Sequence, residues 1–152
     1  MIIKMVAWLK LISYLCSVKE NNKQHRTVFR SDEFDEYYNS LDERTQSKFE
    51  EGIYVLETIY VLSQKFVKKI ENSNFYELRV SVGFNEYRTI LFSVNHENII
   101  QATEIVLLNS FLKKDKKDYA KQVKRATNIY NNLENEKDWY IKIAQVWRFV
   151  RP

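Results

Sequence analysis

Among the side chains between Phe75 and Lys117 that can handle phosphates and protons, six stand out: Glu77, Arg79, Tyr87, Arg88, Lys113 and Lys114. Glu77 and Arg79 share one side of an alternating segment, and Arg88 follows in the next. Lys113 and Lys114 stand at the exit of a third, more apolar segment. A guanidinium stays charged and meets a phosphate through a planar fork. Cations grouped on strands are not needed to build a small core, so gripping phosphate is the chemistry these positions offer. Glu77 suits a base, or equally pairs with Arg79, and cross-strand ion pairing would account for both residues. Tyr87 can position a substrate through its hydroxyl, stack on a nucleobase, or simply pack within the sheet.

These residues need a framework. Residues 26–30 read as a short strand. Ser31 can cap a helix carrying Phe34, Tyr37, Tyr38 and Leu41, and Asp42 a second carrying Phe49, Ile53, Leu56 and Ile59. Nothing local accounts for Gly52 within that second helix. Residues 65–70 form a weaker strand. After a turn at 71–74, Tyr76, Leu78, Val80 and Val82 point one way and Glu77, Arg79 and Ser81 the other. Gly83 connects to a strand over 85–94, and 105–112 is a buried strand. A basic helix over 118–133 follows, with Tyr119, Val123, Ala126 and Tyr130 inward. Short links between strands predict an α+β fold: a small antiparallel sheet with helices packed on one face.

The whole chain of 152 residues suits one domain with additions. Its apolar content of 45% supports a sizeable core. Lys and Arg exceed Asp and Glu by 24 to 20, so only the distribution of charge can argue for a nucleic-acid partner. One cysteine excludes an internal disulfide framework and suits a reducing, intracellular setting. Two glycines leave no phosphate loop, and two histidines far apart argue against a zinc site, so neither metal nor cofactor is expected.

The division expected is an apolar helical extension and linker over 1–23, a main domain over 24–134 and an amphipathic helix over 135–152. Lys4 and Lys10 interrupt the first run, which argues against a membrane span. Mutual cover of the two terminal helices is the simplest use for them.

Three motifs in this order resemble the RelE/HigB-type toxins of type II toxin–antitoxin systems, in particular the phage-derived Gp49-like branch. They are residues 75–79 (FYELR), 86–92 (EYRTILF) and 109–114 (NSFLKK) leading into a basic helix. The resemblance covers about residues 27–133 and leaves both terminal extensions aside. It implies a RelE-like fold and a cytoplasmic, metal-independent endoribonuclease that cleaves mRNA, usually on the ribosome. It also implies an antitoxin partner, often carrying a helix-turn-helix.

Cleavage by the 2′-OH needs a base, a stabilised phosphorane and an acid for the 5′-oxygen. Fixed cations where charge develops give the largest contribution. Arg79 and Arg88 are assigned to the scissile phosphate, which the family pattern also favours. Lys113 and Lys114, each among other cations, are candidates to move a proton, with Tyr87 as helper. Lys68, Lys69, Lys116, Lys117, Lys121, Lys124 and Arg125 are expected to meet the RNA backbone. His96, in a turn, is a weaker candidate. Two other readings compete: a nucleic-acid-binding module without catalysis, and a protein-interaction factor built on the terminal helices.

Overall fold

The computed structural model describes residues 23–135. The helical extensions expected at the two ends lie outside the described residues. Within them the order is β1 (Thr27–Arg30), α1 (Asp32–Asn39), α2 (Glu43–Thr58), β2 (Val67–Lys69), β3 (Tyr76–Val82), β4 (Asn85–Ser93), β5 (Glu104–Leu112) and α3 (Lys116–Asn135). Both helix starts read from the sequence form as capped ends. Ser31 Oγ accepts from the Phe34 amide at 3.1 Å, and Asp42 Oδ2 from the Thr45 amide at 3.4 Å. The last helix begins two residues earlier than its pattern suggested, because Asp115 caps it: the Asp118 amide donates to Asp115 Oδ1 at 2.7 Å.

The five strands form one sheet in the order β1-β5-β4-β3-β2. The α+β class is as expected, but the layout differs in two ways. First, β1 runs parallel to β5, so the sheet is mixed rather than antiparallel. The chain between them spans two helices and three strands, enough to return in the same direction. Second, the helices cover both faces rather than one. Phe34, Phe49, Ile53 and Leu56 of α1 and α2 pack on Leu78, Val80, Tyr87, Leu91 and Leu107. Ala126 and Ile129 of α3 pack on the other face, against Ile90, Phe92, Val106 and Leu108. Apolar residues stand consecutively in β4 and β5, so both faces there need cover.

Two positions make the frame tight. A Cβ on Gly52 would sit 3.3 Å from Val80 Cγ2 and 3.4 Å from a Leu78 methyl. The glycine therefore lets α2 lie close on β3. Arg26 is 1% exposed. Its guanidinium donates to the carbonyls of Leu56, Ile59, Tyr60, Ile99 and Ile100 at 2.6–3.1 Å. It ties the end of α2 to the turn before β5. Burial lowers its pKa, and the carbonyls offset part of that cost. Among the described residues no helix is long and apolar enough to cross a membrane.

Candidate functional site

Strand parity builds the site. On β3, Tyr76, Leu78 and Val80 face α2, which sends Glu77, Arg79 and Ser81 to the α3 side. Arg79 is the register partner of Arg88 on β4, so the two guanidiniums start from neighbouring positions on one face. Glu77 stands between them. Its Oε1 accepts from Arg79 Nε at 2.9 Å and forms ion pairs with Arg79 Nη2 at 2.7 Å and Arg88 Nε at 3.9 Å. Its Oε2 accepts from the Tyr119 hydroxyl at 2.6 Å. Arg88 Nη1 also donates to the Tyr87 carbonyl at 2.9 Å and to Glu86 Oε2 at 3.2 Å.

The two arginines differ in access. The Arg79 side chain is 32% exposed and that of Arg88 7%. Glu77 and Arg88, with Lys113, Lys114, Asp115, Lys116 and Tyr119, line a cavity of about 580 Å³. Its rim carries more positive than negative charge. Arg88 also borders a second hollow of about 580 Å³, where Arg79, Ser81 and Glu86 meet Lys65, Phe66 and, from α2, Lys48, Glu51, Gly52 and Val55. Hydrogen bonds from Ser81 and then Arg88 hold the Glu86 carboxyl below its ordinary pKa. Burial, and the bond to Glu77, push the Tyr119 hydroxyl well above the usual phenol range, so it remains a donor at neutral pH.

The other sequence-derived candidates divide by position. Arg79, Arg88, Lys113, Lys114 and Lys116 come together around these hollows. Tyr87 does not join them: it is 8% exposed, lies on the α2 face, and meets Phe49 edge-on at 5.6 Å. Consecutive residues of one strand point apart, so Tyr87 and Arg88 cannot serve the same face. The same rule separates Lys68, paired in register with Glu77, from Lys69, paired with Tyr76. Lys68 therefore shares the arginine face and Lys69 the opposite one. Lys117, Lys121, Lys124 and Arg125 are exposed on α3 and line neither hollow. His96 is exposed and stabilises its own turn, its Nδ1 accepting from the Asn98 amide at 3.0 Å.

Two participants were underrated from sequence. Glu77 is the hub of the cluster rather than one end of a single pair. Tyr119 read as an inward core residue of a helix. Its ring does pack edge-on against Phe111 at 5.9 Å, but its hydroxyl belongs to the polar cluster. The only signal was its type: a phenol at a helix position where leucine would pack equally well. Among the described residues no group of His, Cys, Asp and Glu is arranged to hold a metal ion.

The sequence model of one family, described as phage derived protein Gp49-like (DUF891), matches residues 36–131. That is more than half of the chain, running from inside α1 to inside α3 and containing the whole cluster around Glu77. No curated protein and no solved structure matches the chain.

Proposed function

The chain belongs to the phage-derived Gp49-like family, a family of RelE/HigB-like toxins, and from that premise we propose that it is the toxin of a type II toxin–antitoxin system and a metal-independent endoribonuclease acting on ribosome-bound mRNA. The observation that carries this reading is the cross-strand placement of Arg79 and Arg88 on one face, with Arg88 lining a cavity rimmed by Lys113, Lys114 and Lys116. In the proposed reaction the 2′-oxygen attacks phosphorus and the bond to the 5′-oxygen breaks. The proton leaves the 2′-OH, and another reaches the departing 5′-oxygen. The products are a 2′,3′-cyclic phosphate and a 5′-hydroxyl. Arg79 and Arg88 hold the charge that gathers on the phosphorane. Lys113 or Lys114, both at the rim, moves a proton. Lys68, Lys116 and the exposed cations of α3 hold flanking phosphates. The partner is an antitoxin encoded beside it, a helix-turn-helix protein that silences it, and the toxin acts in the cytoplasm.

Growth tests this. Induction of the wild-type chain is expected to arrest growth, and co-expression of the neighbouring gene to relieve the arrest. Arg79→Ala and Arg88→Ala are expected to grow. Full arrest by both variants would contradict the assignment. One feature favours a second reading, a binding module without catalysis: Glu77 already engages Arg79 at 2.7 Å, as in a structural ion pair. Such a module would bind RNA in a salt-sensitive way and leave it intact.

A further inference from the structure

We propose that Tyr119 is a positioning residue for the arginine pair, acting through Glu77. The inference rests on the reading of Arg79 and Arg88 as the phosphate-handling groups. Glu77 is 6% exposed, and a carboxylate buried to that degree needs each oxygen satisfied. Arg79 satisfies Oε1 by donating from Nε at 2.9 Å, with Nη2 on the same edge of its guanidinium in an ion pair at 2.7 Å. That grip fixes the plane of the guanidinium and leaves Nη1 for another acceptor. It works only while the carboxylate itself is held. Tyr119 holds it by donating to Oε2 at 2.6 Å.

The hydroxyl is in turn placed by the fold. Its ring rests edge-on against Phe111 of β5, and its backbone amide donates to the Asp115 carbonyl at 3.1 Å. A continuous path therefore runs from the capped start of α3, through Tyr119 and Glu77, to Arg79. A plain surface ion pair between Glu77 and Arg79 would need none of this. The bond joins residues 42 positions apart, on the two layers that wall the cavity.

Tyr119→Phe keeps the ring and removes only the hydroxyl. On programmed ribosomes carrying a defined mRNA, its single-turnover cleavage is expected to slow by about tenfold to a hundredfold. The melting temperature is expected to fall by a few degrees, because Glu77 Oε2 loses its donor, while the protein concentration giving half the maximal rate stays near that of wild type. A wild-type rate would overturn the inference. So would a loss of rate matched by an equal loss of affinity, the signature of a purely structural role. A second readout does not depend on cleavage. Hydrogen exchange at the Arg79 Nε–H, followed by NMR, is expected to quicken in Tyr119→Phe, and unchanged exchange would overturn the proposal. Wild type and Arg88→Ala run alongside. If wild type cleaves no RNA, the nuclease reading fails, and the exchange measurement still decides the role of Tyr119.

Discussion

Arg88 is a charge that the fold almost hides. With its side chain 7% exposed it depends on Glu77, Glu86 and the Tyr87 carbonyl for compensation. A phosphate arriving in the hollow that Arg88 shares with Arg79 would compete with Glu86, the one of these acceptors that stands in solvent. Lysine at this position keeps the charge but loses the planar set of donors. Arg88→Lys is therefore expected to lower the cleavage rate by about a hundredfold, measured at saturating protein on programmed ribosomes; a rate near wild type would show that charge alone suffices. A different residue contributes to the alkaline limit of the fold. Burial, with Tyr87 nearby, pushes the Tyr37 hydroxyl up to about 12. In the unfolded chain it titrates near about 10. A raised phenol pKa gives stability that is complete below the unfolded value and is lost as pH climbs toward the folded one. The melting temperature should thus fall between about pH 10 and 12, and Tyr37→Phe should flatten part of that fall. An identical decline in the variant would mean that Tyr37 contributes nothing to it.

At the scale of elements, the strands explain both the successes and the errors of sequence reading. Alternation in β3 placed Glu77 and Arg79 together, because a period of two is visible in seven residues. The same rule, applied to neighbours, excludes pairing Tyr87 with Arg88 or Lys68 with Lys69 on one face. Those nominations came from residue type and motif without regard to parity. Other features lie beyond any local pattern. The parallel pairing of β1 with β5 and the close approach of Gly52 to Val80 join distant segments. Nor does a helix pattern say which sheet face the helix will cover, and so the Tyr119–Glu77 contact was not legible. Arg26 looked like the start of a strand and is instead a clamp between α2 and the turn before β5. Arg26→Ala would leave several buried carbonyls without donors. It is expected to destabilise the protein by at least about 3 kcal/mol in urea unfolding. A loss below about 1 kcal/mol would mean that water replaces the guanidinium.

At the scale of the molecule, among the described residues, positive charge continues from the cavity rim at Lys113, Lys114 and Lys116 onto the exposed Lys117, Lys121, Lys124 and Arg125 of α3. Asp115 keeps that helix start neutral enough to cap, while Lys116 and Lys117 stand where the helix dipole disfavours them. Such a placement has a use if a polyanion lies across it. Replacing Lys117, Lys121 and Lys124 by Gln should weaken RNA binding and reduce the salt slope by up to about three counterions. It should leave the cleavage rate at saturation unchanged, since none of the three lines the cavity. An unchanged slope would place the RNA elsewhere. The most direct measurement maps mRNA 5′ ends in a translating extract given wild type, Arg79→Ala or Arg88→Ala. New ends bearing 5′-hydroxyls with wild type, and none with either variant, are the predicted result. New ends of equal abundance with both variants would contradict the assignment of the arginine pair, and no new ends with wild type would contradict cleavage itself.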